Sequence, residues 1–203
     1  MKKEAGERTL LTSVILSSPG AIVVGIGLFL GRSSTQIADF IRRTAELVAI
    51  IVSWLVYRHI HRHEGQEAVI KEKLERIANL CVGAAMCLSG AAMILIALFS
   101  VETEKGNVIP GLVIAVLGVT TNSWFWLRFR KLNRNTPDAI LAVQSKLYRA
   151  KALVDACVTA SLAFIAVAPF SPAARYVDLI GSIIVAVYLV MNGFITLQGK
   201  KKM

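Results

Sequence analysis

Six long apolar stretches divide the chain, and their length is what most limits how it can fold. They run over residues 9–30, 36–57, 74–99, 108–127, 142–168 and 176–197. A helix of about 20 residues crosses the roughly 30 Å hydrocarbon core of a bilayer. A water-soluble chain of 203 residues has no need of six such stretches, and in lipid each must be helical. The sequence therefore predicts an all-α protein, a bundle of six membrane-spanning helices.

The composition argues against three other classes of protein. Hydrophobic residues make up 55% of the chain and charged residues only 18%. Such a composition suits neither a soluble enzyme, nor a nucleic-acid-binding domain, nor a disordered chain. The sequence also lacks a Ser-His-Asp grouping, a Gly-rich phosphate loop and a zinc-protease motif. We therefore expect no enzymatic activity, no nucleic-acid partner and no resident cofactor.

Basic residues are distributed unevenly between the two sides of the predicted bundle. Sixteen Lys and Arg fall beside the termini and the two longer connections, whereas the opposite side has only Arg32, Lys105 and Arg175. Cytoplasmic loops collect Lys and Arg, so both termini are predicted to be cytoplasmic. Six residues follow position 197. We therefore expect a single transmembrane domain of the cytoplasmic membrane, surrounded by lipid and without a C-terminal cytoplasmic domain.

Two of the predicted spans carry charged residues near their middle. A charge at the bilayer centre costs about 2.5 to 3.5 kcal/mol, so each needs a partner or marks a pathway. Residues four apart share one face of a helix, and three pairs of opposite charge have this spacing. These pairs are Asp39 with Arg43, Arg42 with Glu46, and Lys151 with Asp155.

The order of these features resembles the transmembrane domain of the cation diffusion facilitator family, which exports divalent metals such as zinc in exchange for protons. The resemblance covers helices two to six. The residues that carry it are the run from Ser33 to Asp39 followed by Glu46, the sequence Lys73-Leu74-Glu75 at the start of helix three, Asn122 in helix four, and Asp178 at the start of the last span. The resemblance implies a homodimer, and small residues such as Gly83 and Gly90 permit close helix contact.

The positions that hold metal in the family differ in this chain. The resemblance places the four family ligands at Arg42, Glu46, Lys151 and Asp155. Arginine has no available lone pair and lysine has one only when deprotonated, so at most two carboxylates remain as ligands. A divalent ion would also lie beside two cations, which repel it strongly in a low dielectric. Ordinary tetrahedral zinc binding is therefore not expected.

A different arrangement follows from the opposite directions of helices two and five. In the family register Arg42 faces Asp155 and Glu46 faces Lys151, which predicts a neutral salt-bridge cluster. Two functions fit this cluster. One is cation transport coupled to protons, with Glu46 and Asp155 as carriers. The other is a non-transporting membrane scaffold or a partner of a true transporter.

Three histidines alternate in the predicted connection after the second span. His59, His61 and His63 are followed by Glu64, and histidine with a carboxylate can bind transition metals. Alternation does not place three side chains on one face of a helix. A basic surface loop is therefore favoured over a metal site.

Overall fold

Six α-helices account for most of the chain in a computed structural model. The structure describes residues 2–30, 34–62, 68–99, 109–167 and 173–198. The helices are α1 (Lys2–Leu30), α2 (Ser34–Arg62), α3 (Ala68–Phe99), α4 (Ile109–Asn135), α5 (Ala139–Val167) and α6 (Ala173–Leu197). The described residues contain no β-strand, which confirms the predicted all-α fold with six helices.

Several helices continue beyond the apolar stretches that predicted them. α1 already begins at Lys2, α2 continues to Arg62, and α4 continues to Asn135. The backbone hydrogen bonds of a helix do not require an apolar environment, so polar residues at the ends of a span extend it. As a result, the connection between α4 and α5 consists of residues 136–138 instead of the longer charged loop that was predicted.

The start of α5 shows why this connection is so short. Asp138 caps the helix, because its Oδ1 accepts hydrogen bonds from the backbone N–H groups of Ile140 and Leu141 at 2.9 and 3.1 Å. The Asp138 N–H in turn donates to Oδ1 of Asn133 at 3.0 Å. These bonds reverse the chain between α4 and α5 within a few residues.

Four helices in the described part of the chain are long and apolar enough to cross a membrane by themselves. They contain the segments Glu4–Ile26, Ala68–Ile96, Leu112–Asn135 and Leu179–Leu197, which belong to α1, α3, α4 and α6. α2 and α5 have 29 residues each, so they are also long enough to cross a membrane. They are less apolar, because they carry the charged residues near mid-span. Neighbouring helices shield two of these charges, since the side chains of Arg42 and Glu46 are only 11% and 6% exposed.

Each of the other four helices packs against α2 or α5. α4 packs along α5, and their contact contains the buried aromatic rings of Phe125, Phe129 and Tyr148. α3 packs along α6 at very close range, since a Cβ atom added to Gly90 would lie 2.9 Å from the Ala186 carbonyl oxygen. This arrangement leaves α2 and α5 in contact with each other and with α3.

Candidate functional site

A cavity of about 500 Å³ lies between α1, α2, α4 and α5. Apolar side chains such as Leu117, Val154 and Val158 form part of its wall. The polar side chains that line it are those of Ser17, Arg42, Arg43, Glu46, Thr121, Asn122, Lys151 and Asp155. The structure thus brings all four residues of the predicted charge cluster to one cavity.

Glu46 is held by groups from three helices. The Lys151 Nζ atom of α5 lies 3.4 Å from Oε2, and the Arg42 Nη1 atom of α2 lies 3.8 Å from Oε1. The Ser89 hydroxyl of α3 donates a hydrogen bond to Oε1 at 2.8 Å. A buried carboxylate is stable only with such partners. The Glu46 side chain therefore connects α2, α3 and α5.

Asp155 has a different environment, although it lines the same cavity. Its Oδ2 accepts a hydrogen bond from Asn122 Nδ2 at 2.6 Å. Among the described residues, no cationic side chain lies within 4 Å of the Asp155 carboxylate. The facing contact between Arg42 and Asp155 that the family register predicted is thus not formed. Asp155 is held by a neutral amide instead of a cation.

Arg42 pairs with a residue of its own helix. Its Nε and Nη2 atoms donate to Asp39 Oδ1 at 3.1 and 2.7 Å, and Arg43 Nε donates to Asp39 Oδ2 at 2.8 Å. Asp39 lies one helical turn before Arg42 and Arg43, so these bonds form within α2 and do not involve α5. The predicted pair of Asp39 and Arg43 is therefore present. With these two residues the charge cluster has six members, and their formal charges sum to zero.

Lys151 does not pair with Asp155, the partner that was predicted for it on α5. The spacing paired it with Asp155, but its Nζ atom lies beside Glu46 and 5.1 Å from the centre of the Tyr148 ring. A cation over an aromatic face is attracted by the ring. Lys151 therefore connects α5 to α2.

Two residues of this site were missed by sequence reasoning. Gly118 lies one turn before Asn122 on α4, and a Cβ atom there would lie only 2.7 Å from Asp155 Oδ2. Ser89 of α3 donates to Glu46. Ser89 belongs to a run of small residues, and Gly118 is a single glycine between Leu117 and Val119, so neither residue is distinctive by its type. The spacing of four between Gly118 and Asn122 is the one available signal, because it places them on one face.

Comparison with known proteins agrees with this architecture. A family model described as the cation efflux transmembrane domain matches residues 10–198. The chain belongs to the cation efflux family. The match also includes α1 from Leu10 onward, and α1 lay outside the resemblance drawn from the sequence. A comparison with curated proteins finds no match.

Membership of the cation efflux family and the long apolar helices establish a multi-pass membrane protein of the cation transporter type. Members of this family are transporters and not typical enzymes. Arg42 and Lys151 occupy two of the four positions at which the sequence resemblance predicted family ligands. Among the described residues of this family member, no group of three His, Cys, Asp or Glu side chains is placed to hold a metal ion.

The predicted loop placement of the histidines is wrong for two of them. His59 and His61 belong to α2, which ends at Arg62, and residues two apart on a helix differ by about 200° in direction. His61 stacks on the Tyr57 ring, and its Nε2 atom lies 3.7 Å from Asp138 Oδ2. His61 thus contacts the start of α5. His63 lies outside the described residues.

The last of the predicted secondary residues is Asp178. It belongs to α6, but its side chain lies outside the described part of the structure.

Proposed function

We propose that this cation efflux family member transports a cation in exchange for protons, with a salt-bridge cluster in place of the usual metal site. In this proposal Asp155 takes up and releases the transported ion or proton. The observation that carries the proposal is the pair of environments within the cavity: Glu46 is bound by cations, whereas Asp155 is bound by the neutral Asn122.

The difference between the two carboxylates supports separate roles. A carboxylate that is already paired with Lys151 and Arg42 has its charge compensated, and removing a partner from it is costly. Asp155 has no such ion pair among the described residues, so its charge is free to be compensated by a proton or a small cation. We infer that Glu46 holds the helices together and that Asp155 exchanges.

The cations of the cluster limit which ions the site accepts. A divalent metal in the cavity would lie close to Arg42 and Lys151, and this repulsion is large where water is scarce. A proton or a monovalent cation needs only one carboxylate to compensate its charge. Alternating exposure of Asp155 to the two sides of the membrane would complete the transport cycle.

Transport into proteoliposomes with an imposed pH gradient tests the proposal. We expect wild-type protein to move a monovalent cation or protons, and Asp155→Asn to lower this flux at least tenfold at an unchanged unfolding temperature. Glu46→Gln is the matched control, since it also removes one carboxylate of the cavity. It should lower the unfolding temperature more than Asp155→Asn does. Flux that is unaffected by Asp155→Asn would contradict the role of Asp155, and zinc flux would contradict the substituted site.

We further propose that the six helices lie in the cytoplasmic membrane, with the start of α1 and the end of α6 on the cytoplasmic side. The uneven distribution of Lys and Arg supports this orientation. Family membership supports a homodimer, and light scattering in detergent, corrected for the micelle, would then give twice the 22.0 kDa mass of one chain.

A non-transporting partner of a true transporter is the second candidate function. The Lys151 ammonium group beside Glu46 favours it, because a fixed cation lies where the family resemblance places a metal ligand. The transport assay separates the two candidates. A wild-type protein that moves no ion, yet copurifies with a full-length family transporter, would support the partner role.

A further inference from the structure

A second groove lies outside the candidate site, at the basic end of α4. It has a volume of about 520 Å³ and is lined by Leu127, Arg130, Lys131, Arg134 and Asn135. The three cationic side chains are exposed. Within the described part of the chain, none of them has an acidic side chain within 4 Å. The groove therefore presents three positive charges that no acidic side chain of the described residues neutralises.

The groove continues an apolar strip on the same face of α4. Helical geometry of about 100° per residue places seven residues of this helix within about 60° of one another. They are Ile109, Val113, Val116, Thr120, Leu127, Lys131 and Arg134. Val113, Val116 and Leu127 are 53%, 46% and 56% exposed, so the apolar part of this face is open to the surroundings. Apart from Thr120, the face is apolar as far as Leu127, and beyond it the face is cationic.

The position of this change matches the structure of a bilayer surface. Arg130 and Lys131 lie about 5 Å beyond Leu127 along the helix axis. The polar headgroup layer on each side of the hydrocarbon core has a similar depth, of about 5 to 7 Å. When the apolar strip lies against acyl chains, the cations therefore lie at the level of the headgroups.

We propose that this groove binds the headgroup of an anionic phospholipid whose acyl chains lie along the apolar strip. Arginine and lysine form strong charge-assisted hydrogen bonds to phosphate, and clusters of them beside a membrane span attract anionic lipid. The strip favours a lipid over a soluble phosphate or an acidic peptide, because only the lipid uses both parts of the face. The lipid site is independent of the proposed transport activity.

Native mass spectrometry of the purified protein in detergent, with phosphatidylglycerol or phosphatidylcholine added, tests this proposal. We expect wild-type protein to retain phosphatidylglycerol preferentially. The combined variant Arg130→Gln/Lys131→Gln/Arg134→Gln should lose affinity for it by roughly 100-fold, at about fivefold per cation. Its retention of phosphatidylcholine should not change, since that headgroup is neutral overall.

The start of α3 offers a matched control. Lys71→Gln/Lys73→Gln/Arg76→Gln removes the same formal charge from three exposed residues and should leave phosphatidylglycerol binding intact. Equal loss in both variants would show a general charge effect and overturn the proposal. Retention of phosphatidylglycerol by the groove variant would overturn it as well.

Three further measurements complete the test. Glycerol phosphate carries the headgroup chemistry without acyl chains, and we expect it to bind far more weakly than the lipid. Equal binding would assign the groove to a soluble phosphate, and preferential binding of an acidic peptide would assign it to a protein.

Should the groove variant fold poorly, raising the salt concentration about tenfold must release phosphatidylglycerol from wild-type protein. Binding that is insensitive to salt contradicts the proposal.

Discussion

The contact between Lys151 and Glu46 is the residue-scale interaction on which the charged cavity depends. It joins α5 to α2 at 3.4 Å, with side chains only 15% and 6% exposed. Removing one partner from a buried ion pair costs about 3 to 5 kcal/mol, because the other charge is left uncompensated. Glu46 retains Arg42 and Ser89 when Lys151 is lost, so we expect Lys151→Ala to fall at the lower end of this range.

A double-mutant cycle measures this coupling. We expect Lys151→Ala to destabilise the protein more than Lys151→Ala/Glu46→Ala does, because the second change removes the buried carboxylate that has lost its ion pair with Lys151. The interaction free energy should be about 1 to 3 kcal/mol, measured by unfolding in detergent. Losses that simply add would show that the two side chains contribute separately.

At the scale of elements, the contact between α3 and α6 is decided by glycines whose backbones nearly touch. A Cβ atom on Gly193 would lie 2.9 Å from the Gly83 carbonyl oxygen and 3.0 Å from the Cys87 backbone nitrogen. These atoms move only if the helices separate. The small residues Gly83 and Gly90 thus support packing within one chain.

We expect Gly193→Ala to lower the free energy of unfolding by about 1 to 3 kcal/mol, the usual cost of overpacking. Alanine is a better helix former than glycine by about 1 kcal/mol, but the clash with backbone atoms outweighs this gain. Thermal unfolding in detergent checks the sign. Ala91→Val is a control on an exposed position of α3, and it should change stability by less than about 0.5 kcal/mol. A stabilised Gly193→Ala variant would contradict the close contact.

At the scale of the whole molecule, the distribution of basic residues predicts how the bundle is oriented in the membrane. A protein in which Cys81, Cys87 and Cys157 are replaced by alanine permits single-cysteine labelling. Ala5→Cys and Gln198→Cys should then react with an impermeant thiol reagent only from the cytoplasmic side, where the distribution of Lys and Arg predicts both ends of the bundle. Arg32→Cys is the control and should react from the opposite side. Labelling of Ala5→Cys from outside intact cells would reverse the predicted orientation.

The sequence alone determined the number and order of the helices, because the thickness of a bilayer requires apolar stretches of a certain length. It also identified neighbours along one helix, such as Asp39 and Arg43, because the helical period places residues four apart on one face. The ends of the helices were less accurate, since helical hydrogen bonding continues past the apolar segment into residues such as Arg62 and Asn135.

Only the tertiary structure decided which charges meet across helices. The sequence predicted Arg42 opposite Asp155, whereas Arg42 binds Asp39 and Asp155 binds Asn122. It contained no signal for Ser89 beside Glu46. Which side chains pair depends on how each helix is rotated about its axis and how far it lies from its neighbours. Both must be known closely enough to place two atoms at hydrogen-bond distance. Packing of the whole bundle sets those quantities, and no single segment of the sequence encodes them.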